Sequence, residues 1–569
     1  MLQGPTPDIF REYTGPTTAK CVAAIDFGTS GTGYAFAFPG WDGISDARGS
    51  VYTNSPWADG RPGKTKTALL LDENNKFIAF GKAAQTKYRA MAFQNKGRYF
   101  EYFKMNLYTD SVNAGLKIKA KNGDQVSATI VFSESLKYIK KSLMDQITKS
   151  SGHMDESDIK WILTVPAIWS DAAKQVMKEA AELAGLRGVA LQLALEPEAA
   201  SLWVLQSNDL RVDVGSTYMV CDCGGGTIDV TVHAVDSSQR KVKEAIPATG
   251  GDWGSTAIDR RVLALLERIF GQQRYKRMLQ DSMGYTKLLE DIESVKISFD
   301  IDTDIVLVLP ESLASQTPDD ELSVEEAVSL YSSNENADFQ LLGSNFLIPA
   351  TYFYKTCMEP TINSTVAHVK GILGRNPGIS KIVLVGNFAN CRPLQTKFIE
   401  SFRSVDVIIP NLPGDAIMKG AVLFGANPAL VTSRKLRFTY GERVAHVFDE
   451  SIHPESKAIT TKRGTKHCND IFDRLAIMGE EMAVGEEVSR EYYALDDDNT
   501  TVGFQIFKVA RREVKFTTDF QVKQIGSFTL PCKGSNDRIK YTMIFSSEIL
   551  VKAENSSGET NQIRLKFNE

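Results

Sequence analysis

Two short stretches carry residue types that could hold phosphate. The first reads Ala23-Ala-Ile-Asp26-Phe-Gly28-Thr29-Ser30-Gly31-Thr32-Gly33-Tyr-Ala. An apolar run delivers Asp26, a turn of glycines and hydroxyls follows, and a second apolar run leaves it. Gly28 lets backbone N–H groups approach an anion closely, and successive N–H groups form an anion-binding concavity. Thr29 and Ser30 add hydroxyl donors. Asp26 suits a hydrated Mg²⁺, which keeps several waters and takes one or two carboxylates. The second stretch, Tyr218-Met-Val-Cys-Asp222-Cys-Gly224-Gly225-Gly226-Thr227-Ile-Asp229-Val-Thr-Val, repeats the construction. Either stretch alone reads equally well as a plain hairpin. Two copies with the aspartate in the same place indicate a duplicated domain whose halves face each other across a nucleotide. No Gly-Lys-Ser/Thr follows either turn, and a strand rather than a helix comes next, which excludes a Walker loop and a dinucleotide fingerprint.

The flanking pattern supplies elements to position these turns. Residues 115–132 alternate around Asn122-Gly123 and predict a hairpin. Leu136, Ile139, Leu143 and Ile147 recur at helical spacing and predict a helix over 133–149 that Ser133 caps. A buried strand over 160–165 ends at Pro166, and a helix over 170–185 starts at Ser170-Asp171 and stops at Gly185. Strand, helix and strand repeat over 189–195, 197–206 and 217–223. Residues 228–246 read as strands, 254–300 as mainly helix, then 355–375 helix, 380–386 strand, 391–403 helix, 405–409 strand and 413–425 helix. This is α/β with crossovers. From about 431 the chain turns to short alternating stretches such as Arg538-Ile-Lys-Tyr-Thr-Met-Ile-Phe, separated by clusters such as Gly534-Ser-Asn-Asp537. That tail reads as an all-β sandwich.

At 569 residues the chain is too long for one core. Its 43% hydrophobic and 24% charged residues are those of a soluble globular protein, and the net charge of -5 offers no basic footprint for nucleic acid. No apolar run approaches the ~20 residues of a membrane helix. Met1 to Lys20 lacks the apolar stretch of a signal peptide, so a cytoplasmic location is expected. Seven scattered cysteines predict no disulfide framework. Cys221 and Cys223 read as small apolar residues on one strand face, and three Asn-x-Ser/Thr matches carry no meaning without secretion.

Further motifs accompany the two hairpins: Thr164-Val-Pro-Ala-Ile-Trp, Leu195-Glu-Pro-Glu-Ala-Ala, Ala248-Thr-Gly250-Gly251 and Leu384-Val-Gly386-Asn-Phe-Ala. With them the sequence resembles the heat shock 70 kDa proteins from about residue 20 to 430. Glu198, Phe103-Lys104-Met105 and Lys419-Gly-Ala-Val-Leu-Phe-Gly look more like the divergent heat shock 70 kDa protein 12 subfamily. The resemblance implies an actin-like two-lobed ATPase domain of duplicated ribonuclease H-like halves, followed by a β-sandwich-like domain. It implies a tail over 1–20, lobe I over 21–210, and lobe II over 211–430 with a helix returning to lobe I. A β-rich substrate- or partner-binding domain over 431–569 completes the expected division. ATP or ADP with Mg²⁺ is the implied cofactor.

Roles carry over residue by residue. Asp26 and Asp222 would hold the hydrated Mg²⁺ and the attacking water, and Glu196 would contact the Mg²⁺ shell. Lys104 would reach the γ-phosphate, Thr227 would donate to it, and Asp229 would orient the water. Gly224, Gly225 and Gly226, with Gly28, Thr29 and Ser30, would cradle phosphates, near Gly250 and Gly251. Gly386 and Asn387 would border the adenosine, Glu293 and Lys296 the ribose, and Asp415 the base. Pro166 would communicate between lobes. Read from the residues alone, Lys104 is equally a solvated lysine, Glu196 and Glu198 first-turn acids, and Glu293–Lys296 an i,i+3 surface pair.

Three departures are visible. Asn387 stands where the family has a second glycine, and its β-carbon is expected to crowd the nucleotide. Ile297 stands where the family stacks an arginine on adenine. Leu430-Val-Thr-Ser-Arg-Lys-Leu-Arg is basic where the family's linker is acidic and leucine-rich. No long helical lid follows the β tail. Two functions stay open: a chaperone of the stress response, a weak ATPase whose nucleotide state alters polypeptide binding by 431–569; or a nucleotide-binding signalling or scaffold module with little hydrolysis and a specific protein partner. A sugar kinase lacks a matching acceptor motif.

Overall fold

The computed structural model describes residues 19–38, 51–54, 57, 63–92, 97–109, 112–113, 115–187, 190–207, 210–236, 241–318, 320–546 and 548–564. The expected tail over 1–20 lies outside them except for its last two residues.

The first sheet comprises β1 (Cys21–Phe27), β2 (Gly31–Ala37), β3 (Tyr52–Thr53), β4 (Thr65–Lys66), β5 (Ile159–Val165) and β6 (Ala190–Leu195). Its order is β6–β5–β1–β2–β3, with β4 beside β2. β1 runs antiparallel to β2 and parallel to β5. β1, β5 and β6 are buried along their whole lengths, as near-continuous apolar strands covered on both faces must be.

The second sheet repeats this plan. It comprises β7 (Thr217–Cys223), β8 (Ile228–Val235), β9 (Val242–Gly251), β10 (Ile379–Val385), β11 (Asp406–Ile408) and β12 (Val431–Lys435). Its order is β11–β10–β7–β8–β9–β12, with the short strand Glu481–Ala483 beyond β12. β7 and β8 form an antiparallel hairpin, and β10 lies parallel on the other side of β7. The hairpin registers correspond: Asp26 faces Gly33, and Asp222 faces Asp229. Two sheets of one plan, each opening on a hairpin, make the actin-like two-lobed fold expected from the sequence.

The helices that matter below are α1 (Ala128–Ser151), α2 (Asp171–Leu183), α3 (Glu196–Gln206), α4 (Thr256–Phe270), α5 (Ser282–Ser298), α6 (Glu359–Arg375) and α7 (Ala416–Ala426). One core lies between the lobes. Ala24 and Ile162 of the first sheet, Val220 and Val383 of the second, and apolar residues of α3 and α7 meet there. Each lobe has its own core on the outer face.

Two sequence expectations change. The helix expected from Ser133 begins at Ala128, and the hairpin before it ends at Ser127. Ser133 is buried inside α1 and donates its hydroxyl to the Ile130 carbonyl, the back-bond of a serine inside a helix, whereas a cap would accept from a backbone N–H. The basic segment after Leu430 is not a loose connector. As β12 it pairs with β9 and with Glu481–Ala483, and so belongs to the second sheet.

The remaining C-terminal strands pack as a sandwich. Ala458–Thr460, Lys466–Ala476, Thr439–Val447, Thr501–Val509 and Lys523–Pro531 form one sheet. Glu486–Tyr492, Ile539–Phe545, Ile549–Glu554 and Thr560–Arg564 form the other. Phe504, Ile506 and Leu530 of the first meet Tyr541, Met543 and Val551 of the second in the core. Lys508 of this domain pairs with Asp171 at the start of α2 at 2.9 Å, and Glu548 with Lys178 of the same helix.

Candidate nucleotide site

Each hairpin turn closes in the same way. The Gly28 N–H donates to Gly31 O at 3.2 Å, and the Gly224 N–H to Thr227 O at 3.0 Å. The start of α4 fixes the second turn: Ser255, Thr256 and Gly254 donate N–H groups to the carbonyls of Gly224, Gly225 and Gly226. A trans peptide aims its N–H opposite its C=O. The N–H groups of Gly225, Gly226 and Thr227 therefore point away from α4. The turns face each other across the lobes. A β-carbon at Gly226 would meet Thr29 Oγ1 at 2.7 Å, and one at Gly225 would collide with Ser30.

Four carboxylates are buried at these turns. Asp26 on β1 accepts from Thr164 Oγ1 at 3.1 Å. Asp229 on β8 accepts from Thr227 Oγ1 at 2.9 Å and from the Ile168 N–H at 3.2 Å. Glu196, at the start of α3, pairs with Lys104 Nζ at 2.8 Å. Asp222 Oδ1 accepts no hydrogen bond among the described residues. Lys104 lies in a short 3₁₀ turn, only 4% exposed, with its ammonium 5.1 Å from the centre of the Trp169 ring. The alternative reading of Lys104 as a solvated surface lysine is therefore overturned. Glu196 and Glu198 do start a helix, and both are buried.

The crowding of charge marks these groups. Burial, then the charges of Glu196, Asp229 and Asp26, holds the Asp222 carboxyl well above its usual range. Burial also pushes Glu196 up to about 7, with Lys104 opposing and Asp26 and Asp229 adding to the rise. Asp229 is raised by burial against its two hydrogen-bond donors.

The adenosine-side residues are more scattered. Gly386 follows β10 at φ +85°, and a β-carbon there would meet Asp222 Oδ1 and Cys223 O at 2.5 Å. The exposed Asn387 turns its amide toward Gly414 and Gly31. Asp415 pairs with Lys419 at 3.3 Å. Lys296 on α5 is bound to Asp259 of α4 and to Glu293, both at 2.6 Å, so the i,i+3 pair exists but its lysine is buried. Ile297 is 74% exposed. Gly250 and Gly251 end β9: Gly250 opposes Asp229, and a β-carbon at Gly251 would meet the Trp253 ring at 2.8 Å.

Sequence reasoning missed Lys64. Its Nζ lies 2.6 Å from Asp26 Oδ2, and its side chain is 10% exposed. A lone lysine has no motif; the signal was Gly31-Thr-Gly33, since glycine inside a strand marks a close neighbour. It also missed Arg434, whose guanidinium grips Glu198 with bonds of 2.7 and 2.8 Å.

The donor set fits the Mg²⁺–nucleotide implied by the sequence in a specific way. Carboxylates suit a hard cation, and the unpartnered Asp222 Oδ1 and the turns closed to any β-carbon suit phosphate oxygens. Among the described residues, no three of His, Cys, Asp and Glu converge as direct ligands of one ion. Mg²⁺ would here take one or two of these carboxylates and keep water and phosphate oxygens as its other ligands. No helix among them is long and apolar enough to cross a membrane.

Known proteins show the same relationship. Residues 58–327 match the Hsp70 protein family. The chain is 30% identical to mouse heat shock 70 kDa protein 12A over 91% of its length and 86% of the relative's. It is 30% identical to human heat shock 70 kDa protein 12B, over 93% and 86% respectively. Chaperone protein DnaK of Buchnera aphidicola is 27% identical over 42% of this chain and 35% of its own.

Proposed function

Because the chain belongs to the heat shock 70 kDa protein family, we propose that it binds ATP or ADP with Mg²⁺ between its hairpins, hydrolyses ATP slowly and couples the nucleotide to polypeptide binding by residues 431–569. The observation that carries this reading is the pair of opposed turns with Asp26 and Asp222 buried at one register. The turn N–H groups and the hydroxyls of Thr29 and Ser30 bind phosphate oxygens. Mg²⁺, when bound, neutralises phosphate charge. Asp229, fixed by Thr227 and Ile168, orients a water, and Lys104 supplies positive charge that burial strengthens.

The coupling route is β12. It joins the second sheet by backbone hydrogen bonds and lobe I through Arg434–Glu198. Lys435 N–H adds a bond of 2.9 Å to Glu244 on β9. A cavity of about 580 Å³, lined by Trp169, Lys174, Arg437, Phe438, Lys508 and Phe545, lies between α2 and the sandwich beside the ion pairs that join them.

A second reading, nucleotide binding with little hydrolysis, draws support from one observation: both lysines at the hairpins already pair with site carboxylates. Single-turnover hydrolysis decides between them. Loss of one preorganised charge typically costs about 100-fold, so Asp222→Asn and Lys104→Ala should fall by that order from the wild-type rate. A wild type no faster than either variant overturns the ATPase reading. Peptide affinity in ATP and in ADP should differ by about 5–150-fold, the usual range of allosteric coupling; equal affinities remove the coupling.

A further inference from the structure

The lysine at position 64 crosses the first hairpin on a path built for it. Gly31 and Gly33 share one face of β2, two residues apart. A β-carbon at Gly31 would meet Lys64 Cβ at 3.3 Å, and one at Gly33 would meet Lys64 Cγ at 3.0 Å. The two glycines thus leave a channel for the lysine stem. Gly33 is also the register partner of Asp26, so the stem that passes over it arrives at that carboxylate.

The backbone holds the lysine at this place. Trp57 Nε1 donates to Gly63 O at 2.9 Å on one side. On the other, Thr65 and Lys66 pair with Thr32 and Gly31. The ammonium lies 2.6 Å from Asp26 Oδ2. On the facing hairpin, Asp222 Oδ1 is buried with no hydrogen-bond donor among the described residues.

We propose that Lys64 is a tethered cation standing where a divalent ion would face Asp26 and Asp222, so that the hairpins bind a nucleoside diphosphate or triphosphate without Mg²⁺. An ammonium is a compact charge with three donors, able to join a carboxylate to phosphate oxygens at once. The inference rests on the nucleotide reading above and adds to it that the metal is dispensable for affinity.

The experiment is calorimetric titration with ADP in excess Mg²⁺ and in EDTA, on the wild type, Lys64→Met and Lys64→Arg. Wild-type affinity should change by no more than about threefold between buffers. Lys64→Met should lose about tenfold or more in EDTA and recover when Mg²⁺ is supplied. Lys64→Arg keeps the charge and should bind in EDTA, which separates lost charge from lost fold. A second readout needs no nucleotide: Mn²⁺ titration followed by electron paramagnetic resonance should find Lys64→Met binding about tenfold tighter than wild type. A wild type that takes ADP only with Mg²⁺, or a Lys64→Met that matches it in EDTA, overturns the role of Lys64 and leaves nucleotide binding standing. A wild type that takes no ADP in either buffer overturns both.

Discussion

Glu442 is buried on the sandwich strand Thr439–Val447, where the Gln505 N–H donates to its Oε1. Burial outweighs that bond and pushes its carboxyl up to about 8. A carboxyl raised on folding holds its proton more tightly in the folded chain. The stability it confers is complete below its usual range near 4.5 and is lost as pH rises through about 8. Glu442→Gln stays neutral throughout. It should therefore gain on the wild type by about 1.4 kcal/mol for each pH unit across that window. Thermal unfolding at a series of pH values measures this, and parallel curves for both proteins would refute it. At this scale the sequence exposed Asp26 and Asp222, because each sits in a repeated local pattern. Lys64 and Glu442 had no such pattern, since their character comes from neighbours across a sheet.

Helix α7 packs against α3 closely enough that a β-carbon at Gly420 would collide with the Ala199 carbonyl oxygen. Alanine favours a helix over glycine by about 1 kcal/mol. Overpacking costs about 1–3 kcal/mol, and here the obstacle is backbone that cannot rotate aside. Gly420→Ala should therefore destabilise by ~1–2 kcal/mol net. Gly374→Ala on α6 is the matched control, because nothing lies within 4 Å of its β-carbon; it should be neutral or stabilising. The urea midpoint of Gly420→Ala should fall while that of Gly374→Ala holds or rises. Element types were readable from periodicity, whereas element ends were not. Ser133 resembles a cap in sequence, yet Ala128 and Val131 continue the buried stripe of α1 ahead of it. Tertiary burial set the helix start.

The two lobes, β12 and the sandwich meet through charges far apart in the chain. Glu198 and Arg434 are 236 residues apart and almost wholly buried together. Arg434 holds the Glu198 carboxyl below its usual range despite burial. Removing one partner of a buried pair strands the other charge and costs about 3–5 kcal/mol. Arg434→Ala should lose stability on that order and expose the segment around 430–438 to protease. Arg434→Met with Glu198→Gln should lose less, because neither buried charge remains. If the single and double variants unfold alike, the pair does not hold β12. The duplicated hairpins, the α/β alternation and the β-rich tail are legible along the chain, because each is a local pattern that fixes local backbone. Packing alone sets which charges meet: Lys64 with Asp26, Lys104 with Glu196 and Arg434 with Glu198. It turned a basic linker into a sheet strand and bound both hairpin lysines. Such pairings arise from strand order and helix packing over long separations, and no periodicity along the chain encodes them.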